Sequence, residues 1–219
     1  MAGRLFGFYF ITDRDLCTRT MIEDVSDALR AGAVLVQYRD KGSAAPSPRL
    51  AAELLRLCRQ SGVPLVVNDD VDLALSIGAD GVHVGQGDLP VSEVRRRLGP
   101  GAFVGVSVST VAEAREAERS GATYVAASPV FSTLTKLDAG PAMGLEGVRR
   151  LRAATRLPLA VIGGIRDGDI PFLVEAGADL VCAISASLAG GAVYENVRGL
   201  KQLMVRAAES LSRKRQLLS

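Results

Sequence analysis

The chain repeats one pattern of hydrophobic and polar positions. A helix-like stretch ends at a small residue and a glycine, and an apolar run then follows. The pattern occurs as RAGAVLVQYR from residue 30, SIGADGVHVG from 76, RSGATYVAAS from 119 and EAGADLVCAIS from 175. Glycine after a helix adopts the left-handed conformation that ends it, and the Val, Ile and Tyr that follow favour a strand. Each repeat therefore predicts the end of a helix and the start of a strand.

Four further apolar runs complete a series of alternating strands and helices. These strand candidates are LFGFYFIT near residue 5, VPLVVN near 63, AFVGVS near 102 and LPLAVIG near 157. Helical patterns include RLAAELLRLCRQ from 49, LPVSEVRRRL from 89 and TVAEAREAERS from 110, and the longest runs from about Tyr194 to Lys214. Eight strands that alternate with eight helices predict a parallel sheet.

The number of repeats sets the fold class. Eight βα repeats in 219 residues fit an α/β fold in which the sheet closes, a single (β/α)8 TIM barrel. A doubly wound open sheet is the alternative. No Pro-rich or Ser-rich linker divides the chain, and SAAPSP at residues 43–48 is interpreted as a loop after the second strand. We therefore expect one catalytic domain over residues 1–219.

Composition narrows the class of protein. The 26 basic and 24 acidic residues give a formal charge of +2, which argues against a general nucleic-acid binder. No apolar run approaches the roughly 18 residues that cross a bilayer, and MAGRLFGFYFITD lacks a signal-peptide cleavage pattern. Cys17, Cys58 and Cys182 are odd in number and far apart, which indicates neither a disulfide framework nor a zinc site. We expect a cytoplasmic protein without nucleic-acid or membrane partners, and a homo-oligomer is left open.

The second predicted strand ends in a run of polar and basic residues. Gln37, Arg39 and Lys41 alternate in VQYRDK, and alternate residues of an extended segment point the same way. Active sites of TIM barrels lie at the carboxyl ends of the strands. The three side chains are therefore interpreted as an anion site, with an exposed strand end as the alternative.

Oxygen-bearing side chains follow the third and fourth predicted strands. Asn68, Asp69 and Asp70 come after the third strand and Asp88 after the fourth. Asp70 is a candidate helix N-cap. Carboxylates from neighbouring strand ends suit Mg2+, which combines one or two carboxylates with substrate phosphates and waters. The sequence therefore indicates a diphosphate and Mg2+ between the carboxylates and the cations.

A second anion site is expected on the other side of the barrel mouth. The stretch SPVFSTLTK, residues 128–136, is either a solvated loop or a phosphate cradle of hydroxyls and one ammonium. Gly163 and Gly164 follow the seventh strand and Ser185 the eighth, and the last two loops of such barrels commonly bind phosphate. A monophosphate near Gly164 and Ser185, together with the diphosphate, indicates two phosphorylated small-molecule substrates and a joining reaction.

The single histidine leaves two interpretations open. His83 alternates with apolar neighbours in GVHVG, which is typical of a buried, hydrogen-bonded structural residue as much as of a catalytic one. No serine lies in a nucleophile elbow of the form GxSxG.

The ordered motifs resemble those of thiamine-phosphate synthases. The resemblance covers nearly the whole chain through FYFITD, VQYRDK, VVNDDVDLALSIGADGVHVGQGDL, GVS, SPVFSTLTK, IGGI and AISAS. It implies a (β/α)8 barrel that joins 4-amino-2-methyl-5-hydroxymethylpyrimidine diphosphate to a thiazole phosphate, with or without a carboxylate, and releases pyrophosphate. Two positions depart from the family, where Ser128 replaces the more usual glycine and Ser132 replaces proline.

The resemblance also implies a role for each matching position. The pyrimidine diphosphate would be bound by Gln37, Arg39, Lys41, Asn68, Ser107 and Lys136, of which Arg39, Lys41, Ser107 and Lys136 are the catalytic candidates. Mg2+ would be held by Asp69 and Asp88. The thiazole phosphate would be bound by Thr133, Leu134, Thr135, Gly164, Ile184 and Ser185.

The implied mechanism needs no protein nucleophile. Diphosphate would leave to give a pyrimidine carbocation that the thiazole nitrogen attacks, and cations would stabilise the leaving group. Two rivals are a thiazole tautomerase-like isomerase and a non-catalytic phosphate sensor. The isomerase is expected to carry a histidine around the fifth strand, where this chain reads GVSVST, and the sensor would not need two metal carboxylates.

Overall fold

The strands of the protein close into a barrel. The computed structural model describes residues 5–41, 46–133 and 140–217. Eight parallel strands are joined in chain order, and β1 also pairs with β8 through Gly7 and Leu180. They are β1 Gly7–Ile11, β2 Leu35–Tyr38, β3 Leu65–Asn68, β4 Gly81–Val84, β5 Phe103–Val108, β6 Tyr124–Ala127, β7 Leu159–Ile162 and β8 Leu180–Cys182. The (β/α)8 barrel is confirmed and the open sheet is wrong.

The helices surround this barrel. They are α1 Met21–Ala31, α2 Pro48–Gln60, α3 Val71–Ile77, α4 Val91–Leu98, α5 Val111–Arg119, α6 Gly144–Ala154, α7 Ile170–Glu175, α8 Ile184–Leu188 and α9 Val193–Leu217. The described residues thus contain nine α-helices rather than the eight expected. The additional one is α8, which has 5 residues and directly follows β8. None of the helices in these three ranges is long and apolar enough to span a bilayer.

The helix boundaries have local causes. Thr20 and Thr110 form capping boxes with Glu23 and Glu113 at the starts of α1 and α5, an arrangement that satisfies backbone donors at a helix N-terminus. Gly32 ends α1 with a φ of 90°, in the left-handed conformation, as its position in the repeated pattern predicts.

The core has two layers. Alternation along β1 sends Phe8 and Phe10 outward, where they pack beneath the helices, and Tyr9 and Ile11 into the barrel. The inner layer comprises Tyr9, Ile11, Leu35, Val66, Tyr124, Ala126, Ala160, Leu180 and Cys182. The interior is therefore filled by side chains and supports the strand ends, where the candidate site lies.

Candidate active site

The carboxyl ends of the strands bring the predicted site residues to one rim. Because all eight strands are parallel, residues that end or follow them share one end of the barrel. The described members of the predicted set are Gln37, Arg39, Lys41, Asn68, Asp69, Asp88, Ser107, Thr133, Gly164, Ile184 and Ser185. Leu134, Thr135 and Lys136 lie outside the described residues.

Two carboxylates form the acidic part of this rim. Asp69 Oδ2 lies 3.0 Å from Lys41 Nζ and accepts a hydrogen bond from Asn68 Nδ2 at 2.7 Å. Burial raises the pKa of the Asp69 carboxyl, and the neighbouring Asp88 adds to that rise while Lys41 opposes it. Asp69 and Asp88 are thus close enough to repel each other when both are ionised.

The backbone of Asp69 is also unusual. Its φ is 62°, which makes it the only non-glycine residue with positive φ in the described ranges, and its N–H donates to the carbonyl of His83 at 2.8 Å. The next residue, Asp70, caps α3 by accepting from Leu73 N at 2.8 Å. The two neighbouring aspartates therefore have different roles. Asp70 caps α3, whereas Asp69 has a strained backbone conformation of the kind found at functional sites.

The carboxylates offer a partial metal site. Residues 5–41, 46–133 and 140–217 contain no group of three or more His, Cys, Asp or Glu that could hold an ion. Two adjacent carboxylates do fit Mg2+, which keeps several waters and usually binds substrate phosphates rather than an all-protein cage. A cation would also relieve the repulsion that raises the pKa of Asp69.

The three residues of the basic run have different partners. The Nη1 atom of Arg39 lies 2.5 Å from Asp13 Oδ2, and Lys41 reaches Asp69. The side chain of Gln37 is instead buried in the barrel, where Nε2 donates to Tyr9 Oη. The three follow one another at alternate positions, but within ranges 5–41, 46–133 and 140–217 they do not share a partner.

A chain of hydrogen bonds crosses the barrel beneath the rim. It starts at Gln37 and passes from Tyr9 to Tyr124 at 2.8 Å. His83 Nδ1 lies 3.0 Å from Tyr124 Oη, and His83 Nε2 lies 3.0 Å from Ser107 Oγ. Burial raises the pKa of both Tyr9 and Tyr124, so both phenols stay protonated and can donate. His83 is thus buried and hydrogen-bonded, which matches the interpretation of this histidine as a structural residue.

Tyr9 and Tyr124 are site-supporting residues that sequence reasoning missed. Both lie in apolar strands, where the sequence gives them no role beyond filling the core. One signal was available: Gly105, in GVS, has no side chain because a Cβ there would lie 2.3 Å from Tyr124 Oη. A glycine inside a strand often marks such a close approach.

The opposite side of the rim is built from the SPVFST stretch and the glycine pair. Val130 N donates to Ile162 O and Phe131 N to Gly163 O, both at 2.9 Å, so the stretch continues the pairing of β6 with β7. Gly164 has a φ of 63°, and a Cβ there would lie 2.3 Å from Ser132 O. Glycine at 164 therefore lets the loop lie directly against the end of β7.

The start of α8 completes this side. Ser185 is exposed and lies in the first turn of the helix, which begins at Ile184. The structure therefore brings Thr133, Gly164, Ile184 and Ser185 to the rim at β6, β7 and β8, whereas Arg39, Lys41, Asp69 and Asp88 lie at β2, β3 and β4. Two separate clusters of polar groups face one barrel mouth.

Comparisons with known proteins identify the family of the chain. The thiamine monophosphate synthase family model matches residues 8–187. A thiamine-phosphate synthase of Syntrophomonas wolfei is 41% identical over 94% of this chain and 100% of its own length. One of Roseiflexus castenholzii is 48% identical over 81% of this chain and 79% of its own. The solved thiamine phosphate pyrophosphorylase of Pyrococcus furiosus superposes with a TM-score of 0.82 at 31% identity, covering 93% of this chain and 98% of that one.

Proposed function

The chain belongs to the thiamine monophosphate synthase family, and from that premise we propose that it joins 4-amino-2-methyl-5-hydroxymethylpyrimidine diphosphate to a thiazole phosphate. Its relatives identify it as a transferase of the thiamine-phosphate synthase type. The products would be thiamine phosphate and pyrophosphate. The reaction would take place in the cytoplasm.

The proposed chemistry exchanges a carbon–oxygen bond for a carbon–nitrogen bond. The bond between the pyrimidine methylene carbon and the diphosphate oxygen breaks, and its electron pair leaves with the pyrophosphate. The amino-substituted ring stabilises the resulting carbocation. The lone pair of the thiazole nitrogen then forms the new bond to the methylene carbon. No protein nucleophile takes part, and the protein's task is to stabilise charge and to position the two substrates.

The residues around β2 and β3 would bind the diphosphate. Arg39 and Lys41 lie at the end of β2, and Lys136, which is outside the described residues, would approach from the loop after β6. Negative charge on the diphosphate grows as the bond breaks, so these cations bind the transition state more strongly than the ground state. Gln37, Asn68 and Ser107 would contact the pyrimidine diphosphate with neutral hydrogen-bonding groups.

Asp69 and Asp88 would hold Mg2+ at the same place. The raised pKa of Asp69, which has burial and Asp88 among its causes, supports a site that is completed by a cation. The bound ion would supply further positive charge to the diphosphate oxygens. Lys41, which is paired with Asp69 at 3.0 Å, would contact the same ligand.

The thiazole phosphate would occupy the other side of the rim. Thr133, Leu134 and Thr135 would bind it from the loop, and Gly164, Ile184 and Ser185 from the ends of β7 and β8. The hydrogen bond from Phe131 N to Gly163 O holds the loop against the glycine pair, and Gly164 leaves room for the carbonyl of Ser132. Both observations support this assignment. The phosphate would fix the thiazole so that its nitrogen points toward the methylene carbon.

The observation that carries the proposal is that two facing carboxylates, Asp69 and Asp88, share one strand-end rim with two cations, Lys41 paired with Asp69 and Arg39 paired with Asp13. The relatives of the chain are full-length synthases. The test mixes the purified protein with both substrates and MgCl2 and follows pyrophosphate release. We expect release only when both substrates are present. Release of no pyrophosphate by folded protein would overturn the proposal.

The same assay separates the rivals. A tautomerase would consume a thiazole substrate without the pyrimidine, and a sensor would bind ligand without turnover. Around the fifth strand, where an isomerase is expected to have a histidine, this chain reads GVSVST. Ser107 of that stretch lies 3.0 Å from Nε2 of His83, which is on β4. That arrangement favours the synthase.

A further inference from the structure

Two ion pairs link the ends of β1 and β2 in a reciprocal manner. Asp13 and Arg14 follow β1, and Arg39 and Asp40 follow β2. Asp13 pairs with Arg39 at 2.5 Å, while Arg14 donates through Nε and Nη2 to both carboxylate oxygens of Asp40 at 2.6 and 2.5 Å. Each segment thus contributes one aspartate and one arginine, and each of these pairs with the opposite charge on the other segment. We refer to these four residues as the clamp.

The backbone beneath the clamp is fixed as well. Thr12 Oγ1 accepts from Arg39 N at 2.9 Å and donates to Arg39 O at 2.8 Å. The hydroxyl of one threonine thereby satisfies both backbone groups of Arg39 just beyond the last residue of β2. Thr12 is 1% exposed, so water does not compete for these bonds.

Asp13 holds both its own turn and the arginine. Its Oδ1 accepts from the backbone N–H groups of Asp15 and Leu16 at 3.1 and 3.2 Å, which leaves Oδ2 for Arg39. The side chains of Arg39 and Asp13 are 18% and 7% exposed, so the pair is largely removed from solvent. Asp13 takes one of the five N–H donors of the planar guanidinium, which orients the plane and leaves other donors for a ligand.

Asp40 fixes the segment that leads to Lys41. Its side chain is 0% exposed, and besides Arg14 it accepts from Tyr38 Oη at 3.0 Å. Tyr38 Oη in turn accepts from the backbone N–H of Ser47, the N-cap of α2, at 3.0 Å. Asp40 is thus saturated by the protein and is not a ligand for substrate. It ties the chain on both sides of residues 42–45 to the barrel.

We propose that Asp13 is a positioning residue of the diphosphate site, and that the Arg14–Asp40 pair locks the backbone that carries Arg39 and Lys41. This inference rests on the proposed role of Arg39 and Lys41 in binding the diphosphate. Without the Asp13 carboxylate, the partly buried guanidinium has no counter-charge, so it turns toward solvent and away from the ligand. Asp13 therefore increases affinity for the diphosphate although its charge has the same sign as the ligand.

The test compares two isosteric changes. Asp13→Asn keeps an oxygen for the turn and removes the charge that faces Arg39. Asp179→Asn is the matched control, because Asp179 also accepts from a backbone N–H, that of Leu159, and from an arginine, Arg152, but lies before β8 at the opposite end of the barrel. For both variants the readouts are calorimetric affinity for inorganic pyrophosphate with MgCl2, the KM of each substrate, and the unfolding temperature.

We expect Asp13→Asn to weaken pyrophosphate binding and raise the KM of the pyrimidine diphosphate by about tenfold, the value for one charge-assisted hydrogen bond. The KM of the thiazole phosphate should stay within about twofold of wild type, because that phosphate makes none of these charge-assisted bonds. Asp179→Asn should lower the unfolding temperature and leave both KM values unchanged. If Asp13→Asn does not fold, Arg14→Gln provides the test, because it changes a half-exposed side chain. This variant should also raise the KM of the pyrimidine diphosphate selectively, by a smaller factor.

Two results would overturn the inference. Unchanged pyrophosphate affinity in folded Asp13→Asn or Arg14→Gln would mean that the clamp does not position the cations. Tighter binding in Asp13→Asn would mean that Asp13 merely competes with the ligand for Arg39. Failure of the wild-type protein to release pyrophosphate from the two substrates would instead contradict the proposed function, so the two failures are distinguishable.

Discussion

The two ends of the barrel use polar residues in different ways. At the amino-terminal end, polar side chains bind the backbone. Asp80 Oδ2 accepts from Leu65 N at 2.8 Å, and Thr123 Oγ1 accepts from Val104 N at 3.0 Å. Each of these two side chains ties the start of one strand to the segment before another, so these contacts secure the fold.

Arg95 shows the same principle most fully. From α4 it donates to the carbonyls of Gly99, Ala102 and Gly121 at 2.8–3.1 Å and to the hydroxyl of Thr123 at 3.0 Å. One guanidinium thus binds backbone carbonyls of several turns. Unpaired buried carbonyls are costly, so this residue stabilises several turns at once.

At the carboxyl-terminal end, charged side chains face other charged side chains. Asp69 faces Asp88, Lys41 faces Asp69, and Arg39 faces Asp13. One of these groups, Asp69, also has a left-handed backbone. A ligand can bind to these charged side chains, either in place of their present partners or in addition to them. It cannot bind in the same way to a backbone group whose hydrogen bond is already made. We therefore expect substitutions at the amino-terminal end to change mainly stability and substitutions at the carboxyl-terminal end to change mainly activity.

The largest expected effect is at the two carboxylates. Asp69→Asn or Asp88→Asn should reduce turnover by about 10²-fold or more, the range for loss of a preorganised charge stabiliser. Asparagine tolerates the left-handed conformation as aspartate does, so the unfolding temperature should be nearly unchanged. Steady-state kinetics and thermal melts check both statements. Full activity of the wild-type protein in EDTA would contradict the role of a metal.

A matched control lies next in the chain. Asp70→Ala removes the N-cap of α3 and should cost about 1 kcal/mol of stability, with turnover close to wild type at a temperature where the protein is folded. An equal loss of turnover in Asp70→Ala and Asp69→Asn would mean that position 69 acts only through the fold.

The next largest effects distinguish the diphosphate side of the rim from the thiazole phosphate side. Lys136→Ala should lower turnover by about 10²-fold, because the charge on the diphosphate grows in the reacting step. Ser185→Ala should mainly raise the KM of the thiazole phosphate, by about tenfold for one lost charged hydrogen bond, because that phosphate does not change its charge. Kinetics with each substrate varied in turn distinguish the patterns. The same pattern in both variants would end the assignment of two distinct anion sites.

At the amino-terminal end of the barrel, we expect a substitution to lower stability and to leave substrate binding unchanged. Arg95→Ala should reduce the free energy of unfolding by about 2 kcal/mol, since several carbonyls lose their donor, while both KM values stay unchanged. Arg96→Ala is the control, because Arg96 is exposed and pairs only with Glu93 among the described residues. Urea denaturation measures the difference. A changed KM in folded Arg95→Ala would show that the two ends are coupled.

The smallest effect on turnover is expected at the histidine. His83→Asn should keep turnover within about tenfold of wild type, because the proposed chemistry needs no general base and that is less than such a base contributes. Loss of its bonds to Tyr124 and Ser107 should lower the unfolding temperature. Single-turnover measurements on folded protein are the check. A collapse of the chemical step there would reveal an acid–base role.

The sequence predicts the fold more completely than the site. Seven of the eight strands lie within the predicted apolar runs, and β5 ends one residue beyond its run, at Val108. Each run was recognisable because it follows a helix-ending glycine or precedes a helical pattern. The short helix α8 was not predicted as a separate element, since its 5 residues span too little chain for a helical period. Local sequence patterns therefore predict an element when it is long enough to show the period of a helix or a strand.

Parts of the site depend on register and closure, which local patterns do not contain. The pairing of Asp13 with Arg39 requires β1 to lie beside β2 with Ile11 opposite Gln37. The bond between Tyr9 and Tyr124 joins residues 115 positions apart across the closed barrel. The candidate ligand residues can be selected from the sequence because they end or follow strands, whereas the residues that contact them from other strands cannot.

The most direct test of the account measures thiamine phosphate formed per folded protein for the wild type, Asp69→Asn and Arg95→Ala, side by side. The two substrates and MgCl2 are supplied at a temperature where melts show all three proteins folded. We expect equal amounts of thiamine phosphate and pyrophosphate from wild type and Arg95→Ala, and almost none from Asp69→Asn. Normal product formation by Asp69→Asn, or none by the wild type, would contradict it.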